Sequence, residues 1–173
     1  MKGNPHLSWL PDVFSASRWE REVATALAAY ATAQDVHTAQ DLAWALNSLA
    51  NVLGGVDNRA RRLAAVQSAV AVLRHEVDNL AGGHEAPHQP ARDLVYLLGG
   101  LAAIRLDSGL PEASLRALDE GIAHLTLAML GKHPPDGEDR DLLGSLLETR
   151  ATAHHEVVLG GPDVPLAGKT ARP

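Results

Sequence analysis

The chain has 173 residues, the length of one domain, and its 15 lysines and arginines against 21 aspartates and glutamates give a net charge of −6. Its 29 alanines and 27 leucines favour helices, whereas two isoleucines and 3% aromatic residues leave few strand formers, so the composition predicts an all-α fold. Without cysteine there is no disulfide, thiolate metal ligand or thiol nucleophile. The negative charge argues against nonspecific binding of nucleic acid or anionic membranes.

The first ten residues do not have the form of a secretory signal. They contain one lysine but no continuous apolar segment before Pro5 and Pro11. The longest apolar stretch, Leu94–Ile104, lies between two charged residues and is far shorter than the roughly 20 residues that a membrane span needs. We therefore expect a cytoplasmic protein without membrane association and interpret this stretch as a buried helix.

Six helices are predicted from capping residues, apolar periodicity and helix breakers. The first begins at the capping box Ser17-x-x-Glu20 and runs to about Asp35. The second begins at a similar pair, Thr38 with Asp41, and ends before a Gly-Gly pair. The apolar face comprises Trp19, Val23, Leu27 and Tyr30 in the first helix and Leu42, Leu46, Leu49 and Leu53 in the second.

The third and fourth helices are separated by the longest predicted internal loop. Asp57 or Asn58 is expected to cap the third helix, and Pro90 to begin the fourth. Residues 82–90 contain two glycines, two prolines and two histidines, which is typical of a loop. We expect the fourth helix to be the most buried because its apolar face is the broadest. These faces comprise Leu63, Val66, Val70, Leu73, Val77 and Leu80 in the third helix and Leu94, Leu97, Leu98, Leu101 and Ile104 in the fourth.

Pro111 is expected to begin the fifth helix, and Asp136 with Asp139 to cap the sixth. Their apolar residues are Leu115, Leu118, Ile122, Leu125 and Met129, then Leu142, Leu143, Leu146, Leu147 and Val157. The helical bundle should therefore span residues 17–159. Residues 1–16 are too apolar for a free tail and are expected to dock on the bundle as an irregular segment. Residues 160–173 lack periodicity and are expected to be a disordered tail.

Short motifs recur along the predicted helices. A large residue followed by a small one occupies the same place in Leu49-Ala50, Leu98-Gly99 and Leu143-Gly144. The third and fifth helices also share a spacing of residues, Arg62-Leu63-x-x-Val66-x-x-Ala69-Val70 and Ser114-Leu115-x-x-Leu118-x-x-Gly121-Ile122. This pattern resembles the tetratricopeptide repeat, most closely over residues 38–80.

The resemblance implies antiparallel helix pairs that stack on one another. The recurring leucines lie 49 and 45 residues apart, whereas the regular repeat has a period of ~34 residues. With two to two and a half degenerate repeats the chain has too few units for an open array. We therefore expect a compact, tetratricopeptide-like bundle of about six antiparallel helices.

The resemblance also implies a partner-binding groove on the outer face of the second helix, formed by Trp44, Asn47, Ser48 and Asn51. In tetratricopeptide repeats, asparagines on this face hold an extended peptide by its backbone amides. Asparagine is a mediocre helix former and an exposed tryptophan is rare, which favours a binding role for this face. The alternative is that Trp44 packs against the first helix or Trp9 and that the asparagines are simply solvated.

Two further groups could bind ions. Arg59, Arg61 and Arg62 lie in the first turn of the third helix, where positive charge opposes the helix dipole. They form a candidate anion site with the helix N–H groups, and the alternative is pairing with nearby acids or solvent. His84 and His88 have helical i,i+4 spacing, but the proline between them breaks the helix that would align them, so no metal site is predicted.

Recognisable catalytic patterns are missing from the sequence, which has no Gly-rich phosphate loop, no nucleophile elbow and no carboxylate pair on one helical face. The sequence therefore predicts a noncatalytic protein–protein interaction module, a scaffold or adaptor that binds a protein or peptide segment without a cofactor. The alternative is a small helical enzyme, or a small-molecule or metal-binding bundle, whose site cannot be recognised from the sequence.

The apolar stripes of the third, fourth and fifth helices exceed what one short bundle readily covers, so we predict a homodimer. Light scattering should then give a mass about twice the 18.3 kDa of one chain. A mass of 18.3 kDa would contradict the prediction. In that case Leu7–Phe14 is expected to cover the apolar face, and deleting residues 1–14 should produce dimers or aggregates.

Overall fold

The computed structural model describes residues 16–54, 56–81, 88–130 and 137–159. Within these ranges the chain forms six α-helices, one short 3₁₀ helix and no strand, which confirms the predicted all-α bundle. The helices are α1 Ala16–Ala33, α2 Val36–Val52, α3 Arg59–Ala81, α4 His88–Asp107, α5 Pro111–Leu130 and α6 Gly137–Leu159, and the 3₁₀ helix Val56–Asn58 precedes α3. None of the helices in these ranges combines the length and the hydropathy needed to cross a bilayer.

The bundle is built from helices that pack on their neighbours in sequence. Each helix contacts the next, and α4 also contacts α2 and α6, so that four other helices surround it. Its broad apolar face is buried, as its periodicity predicts. The buried side chains on this face are Leu94, Leu97, Leu98, Leu101 and Ile104.

Glycines allow α6 to approach the centre of the bundle closely. Gly99 of α4 faces the buried side chain of Leu146. A Cβ atom at position 99 would lie only 3.1 Å from Leu146 Cδ2. A Cβ at Gly121 of α5 would be 3.7 Å from Leu146 Cδ1. The prediction that a small residue after Leu98 admits a neighbouring helix is therefore confirmed, whereas the corresponding Gly144 faces open space.

The start and the end predicted for α1 both need correction. The helix already includes Ala16, so Ser17 lies inside its first turn and is not the N-cap of a capping box. It ends at Ala33 rather than near Asp35 because Gln34 adopts a left-handed φ of 50°. The Gln34 N–H donates to the carbonyl of Tyr30 at 2.8 Å, which closes the last turn.

The N-cap of α2 is Asp35 and not Thr38. Asp35 Oδ1 accepts a hydrogen bond from the backbone N–H of Thr38 at 2.8 Å, and Thr38 is the third residue of the helix. This bond favours the ionised carboxyl and lowers the pKa of Asp35. The aspartate can satisfy a free helix N–H three residues ahead of it, so the helix starts earlier than the Thr38–Asp41 pair predicts.

The turn between α4 and α5 follows the sequence closely. Pro111 begins α5 as predicted, and Gly109, with a left-handed φ of 70°, lies just beyond α4. The start of α4 differs, because the helix begins at His88 and Pro90 is its third residue. A proline is tolerated there because N–H groups of a first turn have no intrahelical acceptor.

The predicted apolar face of α6 is only partly used. Leu146 is buried, but Leu147 and Val157 are exposed because no helix in the described ranges packs against their side of α6. The irregular segment predicted for residues 1–16 lies outside the described residues except for Ala16, which is helical, and residues 160–173 and residues 82–87 of the predicted loop also lie outside them.

Several polar side chains in the bundle contact other helices, which offsets part of the cost of burying them. Three of these contacts involve α4, the helix at the centre. Gln40 Nε2 donates to Asp93 Oδ2 at 2.6 Å, Ser114 Oγ donates to the Ala102 carbonyl at 2.8 Å, and Arg92 Nε pairs with Asp139 Oδ1 at 3.3 Å.

We expect Leu98→Ala to lower the free energy of unfolding by about 3 kcal/mol, since Leu98 is fully buried in α4 and its loss leaves a cavity. The same change at Leu127, which is 70% exposed, should cost less than about 0.5 kcal/mol. Chemical denaturation of both variants measures the difference. Equal decreases in the free energy of unfolding of the two variants would contradict the position of α4 in the core.

Candidate functional site

An open cleft of about 450 Å³ lies between α1 and α2. Two tryptophans, three alanines and two carboxylates are among its lining residues. These are Trp19, Glu22, Thr25, Ala26 and Ala29 from α1 and Asp41, Trp44, Ala45 and Ser48 from α2. The alanines are too short to fill the space beside the tryptophans, so a concave surface remains open between the two helices.

Trp44 is held by a contact with α4. Its ring centroid lies 5.5 Å from that of Tyr96, with the planes tilted by 45°, a separation that aromatic pairs prefer. Trp44 nevertheless remains 36% exposed, and it borders the cleft. The side chain therefore packs on a neighbouring ring while part of its apolar surface stays accessible.

α1, which forms one wall of the cleft, packs on α2 and also makes polar bonds to α3. No residue of α1 is buried. Tyr30 Oη donates to Glu76 Oε1 at 2.7 Å, and Arg61 Nη2 lies 2.6 Å from Glu20 Oε1. The bond from Tyr30 raises the pKa of its phenol, because it requires the protonated form, and burial and the charge of Glu76 act in the same direction.

The residues of the predicted groove divide between two environments. Trp44 and Ser48 line the cleft, whereas Asn47 is half-buried and Asn51 is exposed, and neither asparagine is among the lining residues. Of the two packing partners considered from the sequence for Trp44, α1 stands across the cleft, and Trp9 lies outside the described residues.

The sequence did not single out the α1 wall of the cleft or the aromatic partner of Trp44. Trp19, Glu22, Ala26 and Ala29 are spaced by three, four and three residues, which places them on one helical face. This stripe, in which two alanines follow a tryptophan and a glutamate, was a usable signal. No sequence pattern marks Tyr96 as the partner of Trp44, because its pairing with α2 depends on how the helices pack.

The three arginines of the candidate anion site lie in three different environments. Arg61 pairs with Glu20, Arg59 is exposed, and the buried Nε of Arg62 has no hydrogen-bond partner among the described residues. None of the three lines the α1–α2 cleft. The pairing of Arg61 agrees with the alternative in which these charges are balanced by nearby acids.

Histidines are distributed over the surface in the described ranges. His75 is exposed, and its Nε2 atom lies 3.2 Å from Asn79 Nδ2. His154 and His155 are exposed on α6. No group of three or more His, Asp or Glu side chains in these ranges could hold a metal ion. The side chains of the pair considered from the sequence, His84 and His88, lie outside the described set.

Comparisons of the chain with family models, with curated proteins and with solved structures found no match. Functional inference therefore depends on the geometry of the chain itself.

We expect Tyr30→Phe to lower the free energy of unfolding by about 1 kcal/mol at neutral pH, because Glu76 loses its hydrogen-bond donor. A phenol with a raised pKa stabilises the fold below its unfolded pKa of about 10, and this contribution is lost as the pH rises through the folded pKa. Denaturation measured between pH 7 and pH 11 should show the free energy of unfolding of the wild type falling toward that of the Tyr30→Phe variant.

Tyr96→Phe is the matched control, since it keeps the ring that contacts Trp44 and Tyr96 Oη makes no hydrogen bond within the described ranges. Its stability should follow that of the wild type at every pH. If Tyr96→Phe lowers the free energy of unfolding as much as Tyr30→Phe does, the prediction that the Tyr30–Glu76 bond stabilises the fold is contradicted.

Proposed function

We propose that this protein is a noncatalytic interaction module, a scaffold or adaptor that binds a protein or peptide segment in the α1–α2 cleft. The observation that carries the proposal is the position of Trp44, a partly exposed aromatic side chain held in place beside a concave, mostly apolar surface. Tryptophan is enriched among the residues that contribute most to protein interfaces. A ring already fixed by Tyr96 loses little freedom when a partner binds.

The size of the cleft suits a few side chains of a peptide. Its volume of about 450 Å³ lies in the range of ligand pockets, roughly 300–1,000 Å³. It is open, and therefore accessible to a segment of a larger partner. An apolar side chain placed between Trp19 and Trp44 would bury the exposed faces of both walls.

The charge of the cleft indicates the chemistry of the partner. Both charged lining residues, Glu22 and Asp41, are acidic and exposed. A lysine or arginine next to the apolar anchor of the partner would pair with them, and acidic segments would be repelled. The preferred ligand is therefore an apolar residue flanked by a basic one.

The order of helix packing supports the resemblance to tetratricopeptide repeats as part of this proposal. α2 contacts α4, and α4 contacts α6, as expected for the first helices of successive repeats.

The accompanying proposal of a homodimer is supported by apolar side chains that are exposed on the last two helices. These are Leu127, Leu147, Val158 and Leu159.

We expect Trp44→Ala to weaken binding of cleft-directed peptides at least tenfold, since loss of a tryptophan anchor costs about 2 kcal/mol or more. The peptides would be selected from a displayed library on the wild type and measured by fluorescence polarisation. Selection should enrich an apolar residue beside lysine or arginine. Asp41→Asn should weaken binding of the basic peptides less strongly than Trp44→Ala does.

Two control variants show whether the peptides bind in the cleft. Leu110→Ala alters an exposed apolar residue outside the lining set and should leave affinity unchanged. Asn51→Ala should also have no effect, and a large effect there would instead favour the groove predicted from the sequence. Peptides that bind the Trp44→Ala variant as tightly as the wild type would refute the proposed site.

A further inference from the structure

A second cavity, of about 200 Å³, lies between α3, α4 and α5. It is on the side of α4 opposite the aromatic contact, because Tyr96 and Arg105 are nine residues apart and thus about 180° apart around the helix. Aliphatic side chains and alanine form part of its lining, with three arginines, one glutamate and one glutamine. The lining residues are Gln67, Val70, Arg74, Leu98, Leu101, Arg105, Arg116, Ala117 and Glu120.

The arginines of this cavity are incompletely neutralised. Arg74 forms a two-pronged pair with Glu120, with its Nε 2.7 Å and its Nη2 2.9 Å from the two carboxylate oxygens. Arg105 Nη1 donates to the carbonyl of Ala113 at 2.9 Å, a neutral acceptor. Arg116 is exposed and makes no hydrogen bond or ion pair within the described ranges. With a single carboxylate, the lining carries a net charge of +2 in a chain of −6.

This arrangement disfavours the charged form of Arg105. Partial burial lowers its pKa first, the positive charge of Arg116 lowers it further, and Arg74 adds to the effect against the opposing charge of Glu120. Like charges placed together beside apolar walls are unfavourable unless an anion accompanies them. Unused N–H donors remain as well, since a guanidinium has five and Arg105 uses one within the described ranges.

We propose that the cavity formed by Arg74, Arg105 and Arg116 binds a small anion bearing a phosphate group. A phosphate carries about 1.5 to 2 negative charges near neutral pH, which matches the uncompensated charge of the lining better than one carboxylate would. Guanidinium groups suit its oxygens because they donate paired, directional hydrogen bonds. Gln67 adds an amide at the edge of the same cavity.

This site is independent of the proposed peptide cleft. The two cavities share no lining residue, and they lie on different helices, α1 and α2 for the cleft and α3 to α5 for the arginine cavity. A phosphate-bearing ligand would bridge α3 and α5 across α4, and the free energy of unfolding should rise with the logarithm of its concentration above the Kd. Loss of either binding activity should leave the other unchanged.

Calorimetric titration of the full chain with inorganic phosphate, at constant ionic strength set with sodium chloride, tests the proposal. The wild type should bind with millimolar or lower Kd. Arg116→Gln should weaken binding about tenfold, because it removes one charge-assisted contact without disturbing a described ion pair. Arg21→Gln is the matched control, an exposed arginine of α1 whose side chain also has no partner within the described ranges, and it should leave the affinity unchanged.

Glu120→Gln separates an anion site from a purely structural ion pair. If the cavity binds phosphate, removing its one carboxylate should strengthen binding severalfold even where the fold loses some stability. A parallel titration with glycerol 3-phosphate distinguishes the source, since tighter binding of the ester assigns an organic phosphate and tighter binding of the inorganic ion assigns free phosphate. The proposal is overturned if the wild type shows no saturable binding, or if Arg116→Gln and Arg21→Gln weaken it equally.

Discussion

Burial of α4 against four other helices is the constraint on which the rest of the structure depends. α4 presents leucines around much of its circumference, and their apolar area can leave water only if neighbours cover several sides at once. Glycine at position 99 then lets α6 approach so closely that Leu146 fills the space a side chain would occupy. Close packing of the bundle thus follows from one broad apolar helix and a small residue placed within it.

Polar bonds specify how the other helices are arranged around this centre. Hydrophobic contact is not directional, and alanine-rich surfaces could slide past one another at little cost. The bonds of Asp93 to Gln40 and of Ser114 to the Ala102 carbonyl favour the observed packing, because burying a polar group without a partner is costly. The first helix is the limiting case. It has no buried residue, and besides its packing on α2 it makes polar bonds to α3 through Tyr30 and Glu20.

The two opposite sides of α4 have different chemistry. One side carries Tyr96, which supports Trp44 next to an apolar cleft whose charged groups are acidic. The other side carries Arg105, which shares a small cavity with two more arginines. A chain with an overall excess of carboxylates therefore has a cavity whose lining carries net positive charge. The central helix therefore contributes to both features, through Tyr96 beside Trp44 and through Arg105 in the cavity.

Most helices and core residues could be predicted from the sequence, because apolar periodicity and the φ preferences of proline and glycine are local. Val66, Val70 and Leu73 are buried as their spacing indicates, and Pro111 begins α5. Helix starts were less accurate, since Asp35 and Thr38 both suit an N-cap and the sequence does not show which one the backbone uses. Leu147 shows a related limit, because a stripe of leucines does not reveal whether another helix lies opposite it.

The candidate sites depended on the tertiary structure. The pairs Arg74–Glu120 and Tyr30–Glu76 each join residues 46 positions apart, and Trp44 meets Tyr96 across two different helices. No local pattern encodes such meetings, since they depend on the angle and the register at which the helices pack. The sequence by itself determined which residues are helical and which faces are apolar, because both follow from local backbone and side-chain preferences. Packing decided which charges and rings come together, because that requires all the helices to be in place at once.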